Sequence, residues 1–529
     1  MGDETGVAAQ IAELVNLGSQ FLDAGQLSEA ESIFQGLRAV TRENFSVNRN
    51  LGVVLATKGD FAAARGPLEE AVALDGRDPV AFNVLSVCAF ETGDFAAALA
   101  SAEQAVRLRR AYPEAHNSRG NALLRLGRAV EAAEAFKAAL MLAPKDPEVH
   151  VNLANALEAQ GRPAEALKSV ERAIALEPRL ATAHVNRGNL LQQLGRHRDA
   201  LSAYDRAVAL DPACVDAHWN RGLCQLLLGD YAAGWTGYEW RWRRGVRETV
   251  PRGLPQPLWL GAEDVAGRTV LLHGEQGLGD CIQFARYAPK VAARGAKVIL
   301  EVYAALAPLL AGLDDVELVR RGEPLPPFDL QCPLMSLPLA LGEPRPAPDA
   351  APYLAPPADR LAGWADRLGA PGALRVGLVA SGSPTHGRDA WRSIPLASLA
   401  AGLPAGPDYH LLQNEIREAD RPALAARPDL RTWAEAIGDF ADTAALAAQM
   451  DLVISVDTSV AHLAGAIGRP CRVLLADEPD WRWGLNAETT DWYAQMRLYR
   501  QAVRGDWTAP LQRVAHDVAV AASAWSPPA

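Results

Sequence analysis

One spacing constrains this chain more than any other feature. Seven glycines recur at intervals of 34 residues, at Gly25, Gly59, Gly93, Gly127, Gly161, Gly195 and Gly229. Three further registers keep this interval: small residues at Gly18, Gly52, Ser86, Gly120, Ala154, Gly188 and Gly222, alanines from Ala30 to Ala200, and prolines at Pro144, Pro178 and Pro212. A fixed interval of this length is typical of arrays in which each repeat packs on its neighbours.

The interval and the small residues match the tetratricopeptide (TPR) repeat, a pair of helices joined by a turn. Small residues let the two helices cross closely, the mid-repeat glycine turns the chain, and the proline ends the second helix. We therefore predict a TPR α-solenoid of about seven repeats over residues 1–243, with an extended concave surface.

Asparagines stand at regular positions in the first helix of several repeats. One set precedes the small-residue register by two positions, at Asn50, Asn152, Asn186 and Asn220, and a second set follows it at Asn121, Asn155 and Asn189. The arrangement resembles the asparagine ladder of protein O-GlcNAc transferases. The resemblance implies that the first set binds an acceptor polypeptide, because each amide offers a donor and an acceptor. The alternative is that these are solvated residues of the repeat consensus, and Val84 takes the position in the third repeat.

The pattern changes to α/β after a Pro- and Gly-bearing linker at 244–266. Short apolar runs at 269–272, 297–302, 316–319, 375–380, 409–413, 452–456 and 472–475 alternate with Ala- and Leu-rich helical segments. This alternation is typical of parallel strands joined by helices. A Pro-rich stretch divides this half into lobes at 267–355 and 360–529. Two doubly wound lobes with a cleft between them describe the GT-B fold, in which we expect ligands at the carboxyl ends of the strands.

A glycine-rich turn follows the first predicted strand, Gly274-Glu275-Gln276-Gly277-Leu278-Gly279-Asp280. Such a turn brings backbone amides and a helix N-terminus into a cleft. The turn resembles the first loop of family-9, heptosyltransferase-like glycosyltransferases, in which the matching aspartate faces the acceptor. The resemblance implies that Asp280 is the catalytic base, and the alternative is that Asp280 caps the following helix.

A second block, residues 457–470, resembles the DTxxxHLAGAxGxP donor site of the same family. The resemblance implies that Asp457, Thr458, Ser459 and His462 bind the donor nucleotide, with hydroxyls and amides facing its pyrophosphate at a helix N-terminus. The alternative for His462 is a purely structural role.

A third segment, residues 381–395, resembles the SGNPxHxxDxxRSIPL block of TPR-linked relatives. Ser381 and Arg392 are the predicted donor ligands here, with Arg388 as a weaker candidate, since a guanidinium can bind a phosphate through two hydrogen bonds. Either arginine could equally be a surface ion-pair partner. Asn414 stands where the family's LQKE run has a lysine near the donor phosphates, so a charge that would stabilise the leaving group is missing.

The resemblance covers nearly the whole chain and implies metal-independent, inverting transfer from a nucleotide-sugar, with no cofactor. Related architectures include bacterial flagellin glycosyltransferases, so a protein O-glycosyltransferase that moves a nonulosonic acid to a Ser/Thr hydroxyl of flagellin is the leading hypothesis. Two alternatives stay open: a non-catalytic TPR adaptor with a degenerate GT-B module, and a heptosyltransferase-like enzyme that acts on a saccharide.

Composition excludes several other classes of protein. The net charge of −11 argues against a nucleic-acid partner. No apolar run reaches the roughly 18 residues of a membrane span, and the acidic N-terminus does not resemble a signal peptide. Six scattered cysteines fit neither a zinc site nor a disulfide framework. We therefore expect a cytoplasmic protein that binds no metal.

Overall fold

The computed structural model describes residues 2–245, 252–346, 351–385, 387 and 389–527. The chain forms two compact units, Met1–Cys214 and Val215–Ala529. In its described residues the first unit consists of helices and turns, whereas the second begins with two helices and continues as an α/β region. None of the helices in these ranges is long and apolar enough to cross a membrane.

The helices of the first unit come in antiparallel pairs. They are α1 (Gly2–Asp23), α2 (Leu27–Val40), α3 (Phe45–Thr57), α4 (Phe61–Leu74), α5 (Pro79–Glu91), α6 (Phe95–Leu108), α7 (Pro113–Arg125), α8 (Ala129–Leu142), α9 (Pro147–Ala159), α10 (Pro163–Leu176), α11 (Ala181–Gln193) and α12 (His197–Leu210). Two of the second helices, α4 and α6, are preceded by an aspartate whose carboxylate accepts a helix amide: Asp60 accepts from Ala63 and Asp94 from Ala97.

The periodic residues occupy the positions that the repeat pattern predicts. All seven mid-repeat glycines follow the first helix of a pair with φ between 71° and 86°, a backbone conformation that L side chains rarely adopt. Within the pairs, a Cβ on Gly120 would lie 2.4 Å from the Phe136 ring, so a glycine is needed for α7 and α8 to cross. The predicted roles of both registers are therefore confirmed.

The second unit begins with two further helices, α13 (Val215–Leu227) and α14 (Tyr231–Tyr238), and a 3-10 turn at Glu239–Arg243. Its first lobe contains β1 (Thr269–His273), α15 (Leu278–Phe284), α16 (Ala288–Ala292), β2 (Lys297–Val302), α17 (Ala307–Leu310), β3 (Val316–Arg320), β4 (Leu330–Pro333) and α18 (Leu337–Leu341). These strands form a parallel sheet in the order β3-β2-β1-β4.

The second lobe carries a parallel sheet in the order β10-β9-β8-β5-β6-β7. Its elements are α19 (Ala358–Leu368), β5 (Arg375–Val379), α20 (Asp389–Arg392), α21 (Leu396–Ala401), β6 (Asp408–Leu411), α22 (Arg421–Ala426), β7 (Leu430–Thr432), α23 (Phe440–Ala448), β8 (Leu452–Val456), α24 (Ser459–Ala466), β9 (Cys471–Leu475), β10 (Met496–Arg500) and α25 (Thr508–Ala524).

All seven predicted strands are present, and the α-plus-α/β fold class is confirmed. The sequence pattern missed β4, β7 and β10, which lie at sheet edges. Edge strands are short or carry charges, as in Met496–Arg500 with two arginines, so their apolar signal is weak.

Helices α13 and α14 share the hydrophobic core of the first lobe. Leu226, Trp235 and Tyr238 belong to the same buried cluster as Ile282 and Phe284 of α15. This packing explains why the compact units divide before α13. The predicted limits of the array, linker and lobes stay predictions.

Candidate functional site

The glycine-rich turn lies at the carboxyl end of β1 and leads into α15. Gly277 is the residue before the helix, and its amide donates to Oδ2 of Asp280 at 2.9 Å. Asp280 therefore makes a capping contact from inside the first turn of the helix. Its predicted role as a base stays a prediction.

The other carboxylate oxygen of Asp280 accepts a hydrogen bond from Arg482, a residue of the second lobe. The Arg482 side chain is only 9% exposed, and it also donates to Asp480 Oδ1 at 2.8 Å and to Gln283 Oε1 at 2.7 Å. Burial lowers the pKa of Arg482, but the neighbouring carboxylates of Asp480 and Asp280 outweigh burial and leave this pKa above its ordinary value. The guanidinium is therefore permanently charged and joins α15 to the second lobe.

The second motif begins at the carboxyl end of β8 and continues into α24. Thr458 is the residue before the helix, and its hydroxyl pairs with Ser455 Oγ at 3.1 Å instead of a helix amide. A Cβ on Gly279 would lie 3.1 Å from Cδ2 of His462 and 3.3 Å from Cα of Ser459. The glycine-rich turn and the predicted donor block thus meet across the two lobes.

The His462 side chain is buried where the glycine-rich turn meets α24. Its Nδ1 lies 3.0 Å from the Tyr493 hydroxyl, and its ring stacks on Trp483 with centroids 5.2 Å apart. Burial, with smaller effects of Arg482 and Arg286, holds the pKa of His462 well below its ordinary value. The imidazole is therefore neutral near pH 7 and brings no positive charge to a phosphate. Its role in donor binding stays a prediction.

The loops after β5 and β6 are held together by Gln413. Its Oε1 accepts from the Ala380 amide at 3.0 Å, and its Nε2 donates to Ser381 Oγ at 3.3 Å and to the Glu415 carbonyl at 2.9 Å. Ser381 is buried in this contact, whereas the side chain of Asn414 is exposed.

Arg392 connects the third segment to the donor block. Its Nη1 donates to the Asp457 carbonyl at 3.0 Å, while its buried Nε has no hydrogen-bond partner among the residues that the structure describes. A Cβ on Gly382 would lie 2.5 Å from Nη2, so the guanidinium passes directly over this glycine. His386 and Arg388 lie outside the described residues.

Asp457 stands in an unusual electrostatic environment. Burial and the nearby Asp480 carboxylate raise the pKa of Asp457 to about 6, although Arg392 acts in the opposite direction. A carboxyl group with a raised pKa at the end of a strand is typical of a functional site. The structure thus brings Asp280, Arg392, Asp457, Ser459 and His462 into one connected region.

The asparagines of the array connect neighbouring repeats. Asn50 donates to Ser19 Oγ at 3.0 Å and is only 6% exposed. Later in the first unit, Nδ2 of one asparagine donates to Oδ1 of another, as Asn152 does to Asn117 at 3.0 Å and Asn186 to Asn155 at 2.8 Å. Asn220 lies in α13, in the second unit. Each of the three bonds orients an amide, and peptide binding stays a prediction.

Several residues of this region were not predicted from the sequence. Arg417 donates to the Gly382 carbonyl at 2.8 Å and to Asp389 Oδ2 at 2.7 Å, so it links Gly382 to the first residue of α20, the helix that carries Arg392. Asp480 and Arg482 lie in the run Asp480-Trp481-Arg482-Trp483. Two tryptophans that flank an arginine after a strand are a signal that could have directed attention to this loop.

Comparison with known proteins adds a relative and several structural neighbours. Protein FlbA of Caulobacter vibrioides is 28% identical over 322 residues, which are 55% of this chain and 52% of that protein. The chain therefore spans about half the length of the curated relative it matches. A tetratricopeptide repeat protein from Parabacteroides merdae is 18% identical, covering 45% of this chain and 94% of that one, with a TM-score of 0.39. A thermophilic TPR protein of Thermus thermophilus, TTC0263, is 22% identical, covering 35% of this chain and 100% of that one, with a TM-score of 0.31.

Family models match the helical pairs directly. One model of the tetratricopeptide repeat matches residues 15–79, 89–147 and 185–234, and a second matches residues 123–186. These ranges contain most of the helices that carry the 34-residue registers. The N-terminal helical array of this protein is therefore a tetratricopeptide-repeat solenoid.

Proposed function

We propose that this protein is a metal-independent GT-B-type glycosyltransferase that moves a sugar from a nucleotide-sugar to a hydroxyl of an acceptor protein. The contact of Gly279 with Ser459 and His462 carries the proposal, since it joins the two family-like motifs. In a doubly wound fold, a substrate at the carboxyl ends of the strands would meet both motifs.

The second lobe would stabilise the leaving nucleotide without a cation. The helix α24 offers the amides of its first turn, where the positive end of the helix dipole favours a phosphate by about 0.3–1 kcal/mol at an exposed site. Arg392 adds a guanidinium whose Nε has no hydrogen-bond partner among the described residues and lies 3.9 Å from Asp389 Oδ1. A charge-assisted bond from this group would strengthen as negative charge develops on the leaving oxygen.

Asp280 would accept the proton of the acceptor hydroxyl. The Arg482 guanidinium and the Gly277 amide hold its two carboxylate oxygens in fixed directions. Such fixation favours the orientation that proton transfer requires. The hydroxyl would therefore have to approach the lone pairs that these two donors leave open.

The repeat array would dock the acceptor polypeptide. The amides of Asn152 and Asn186 are oriented by bonds between helices of the first unit. Oriented amides can form paired hydrogen bonds with an extended backbone. Flagellin as acceptor and a nonulosonic acid as donor sugar are the leading choice, which rests on the resemblance of the architecture to flagellin glycosyltransferases.

A transfer assay with the full chain tests the proposal. The purified protein would be incubated with purified flagellin and, in separate reactions, with CMP-activated nonulosonic acids and UDP-sugars. We expect the intact mass of flagellin to rise by one or more sugar residues in the presence of EDTA, on Ser or Thr. The proposal is overturned when no sugar-nucleotide changes the mass of flagellin or of any protein of the same cells.

Asn414 favours a second candidate, a non-catalytic TPR adaptor. An exposed amide stands where the related loop has a lysine near the donor phosphates. The two candidates differ in one measurement, because an adaptor would bind the acceptor protein with unchanged affinity and turn over no donor. An acceptor that binds and is never modified would decide for the adaptor.

A further inference from the structure

Arg241 is a fully buried arginine that lies behind the glycine-rich turn. It has no exposed surface, and its Nη2 and Nε donate to Oε1 and Oε2 of Glu275, each at 3.1 Å. Its Nη1 donates to Glu239 at 2.7 Å, and its Nη2 donates to Ser336 Oγ at 2.7 Å. The guanidinium therefore connects the 3-10 turn after α14 to the glycine-rich turn of the first lobe.

The neighbouring residue of the turn is held in the same way. Gln276 donates from Nε2 to the Tyr238 hydroxyl at 2.9 Å, and its carbonyl accepts from the Tyr303 hydroxyl at 2.8 Å. The next residue, Gly277, donates its amide to Asp280. A continuous chain of contacts thus runs from Arg241 through Glu275 and the turn to the Asp280 carboxylate.

Stability alone does not account for this buried network. Burial, only partly offset by Arg241, raises the pKa of Glu275 to about 7. A buried ion pair loses hydration that its mutual attraction often fails to recover, so apolar residues of similar volume are commonly at least as stable. What the pair supplies is direction, because a planar guanidinium bonds a carboxylate through two parallel hydrogen bonds.

We propose that Arg241 is a positioning residue that sets the turn Gly274–Gly277, and through it Asp280, by its bidentate contact with Glu275. The inference rests on the proposed function for its catalytic consequence, but the order of the turn is a separate property. Arg241 follows the last helix of the repeat pattern, and its proposed role lies in the first lobe.

The test compares four variants of the full chain. Arg241→Met leaves Glu275 buried without a counter-charge, whereas Glu275→Gln leaves Arg241 with only Glu239 as its counter-charge, so both are expected to melt at a lower temperature. Arg241→Met/Glu275→Gln removes both charges of the pair. Any change that remains in this variant comes from the lost hydrogen-bond geometry and not from an uncompensated charge at Arg241 or Glu275. Arg243→Met is the matched control, because Arg243 lies in the same 3-10 turn with an exposed side chain that stacks on Trp240 at 4.5 Å.

Three quantities are measured: kcat for acceptor glycosylation, the Kd for the nucleotide product, and hydrogen–deuterium exchange of the peptide that covers 274–280. We expect the double variant to regain most of the melting temperature, to keep the wild-type Kd within twofold, and to lose kcat at least tenfold. The turn amides should exchange at least tenfold faster than in wild type, whereas Arg243→Met should match wild type throughout.

A double variant with wild-type kcat and wild-type exchange overturns the positioning role and leaves charge compensation as the function of the pair. Wild-type protein that transfers no sugar overturns the proposed function instead. In that case the exchange of the turn still decides the inference: faster exchange in the double variant supports it, and unchanged exchange overturns it.

Discussion

The Asp280 carboxylate in the first lobe is ion-paired with the Arg482 guanidinium in the second lobe. The two residues are 202 positions apart in the chain, and both side chains are mostly buried. The pair lies beside the contact of Gly279 with the start of α24. Any role of Asp280 in proton transfer therefore depends on how the two lobes meet.

Asp280→Asn separates the base from the structural contact. Asparagine has one acceptor oxygen, so it can keep the hydrogen bond from Gly277 or the one from Arg482 but not both, and it cannot take the proton of a hydroxyl. We expect sugar transfer to fall by about 10²–10⁴, the usual effect of losing a general base. The melting temperature should fall by only a few degrees, because Arg482 keeps Asp480 as a partner. Turnover and thermal melting are measured on the same preparations.

Glu131→Gln is the control for this change, since Glu131 also stands in the first turn of a helix and pairs with an arginine, Arg128. It should leave transfer unchanged. An Asp280→Asn protein that transfers sugar within a few-fold of wild type would restrict Asp280 to its capping and ion-pair contacts.

Arg392→Met should weaken nucleotide binding. A hydrogen bond from a charged group contributes about 1.5–3 kcal/mol, so we expect Kd to rise about tenfold or more. The difference from wild type should shrink at high salt, because salt screens the charge. Calorimetric titration at two ionic strengths measures both effects. Arg421→Met, at an exposed position of α22, should bind as wild type does, and equal affinities for all three proteins would remove Arg392 from the donor site.

Asn414→Lys should tighten nucleotide binding. The side chain is exposed, so the change should alter the free energy of unfolding by no more than about 0.5 kcal/mol. A lysine here would add the positive charge that the related loop carries near the donor phosphates. Asn414→Gln is the control, with similar size and no charge. Unchanged nucleotide affinity in Asn414→Lys would place this loop away from the phosphates.

Asp457 makes the stability of the protein depend on pH in a defined direction. Its pKa is raised from 3.8 to about 6 in the folded state, so between these values the folded state binds more protons than the unfolded state. The free energy of unfolding should therefore fall as pH rises from about 4 to 6. Asp457→Asn removes this loss. Its free energy of unfolding should exceed that of wild type by about 1–3 kcal/mol at pH 7 and should differ little from it at pH 4.

Denaturant unfolding of wild type and Asp457→Asn at several pH values measures this difference. Other carboxyl groups titrate in both proteins and cancel in the comparison. A difference that stays constant between pH 4 and pH 7 would show that Asp457 ionises normally.

Gly120→Ala should destabilise the repeat array. The new Cβ would lie 2.4 Å from the Phe136 ring, and overpacking of this kind costs about 1–3 kcal/mol. Gly36→Ala is the matched control, because Gly36 lies within α2 and no atom lies within 4 Å of the added Cβ. There alanine should stabilise by up to about 1 kcal/mol, as expected for a helix interior. Chemical denaturation followed by circular dichroism measures both changes, and equal effects would contradict the packing argument.

The repeats and the inner strands could be read from the amino-acid pattern because their causes are local. A mid-repeat glycine such as Gly59 is needed for the backbone conformation at its own position, and an apolar run such as Leu452–Val456 reflects burial on both faces of a sheet. The edge strands β4, β7 and β10 have a weaker apolar pattern, since in the described part of the chain each pairs with only one other strand.

Partnerships between distant residues were decided by tertiary structure. Asp280 was identified as a candidate from its motif, but nothing near it in the chain indicates that Arg482 is its partner. No sequence signal near Arg241 indicates that this side chain is buried beside Glu275, because an arginine after a repeat helix ordinarily faces solvent. A short motif reflects backbone geometry within a few residues. The charge and solvent exposure of a side chain depend on which segments fold over it, and those segments can lie anywhere in the chain.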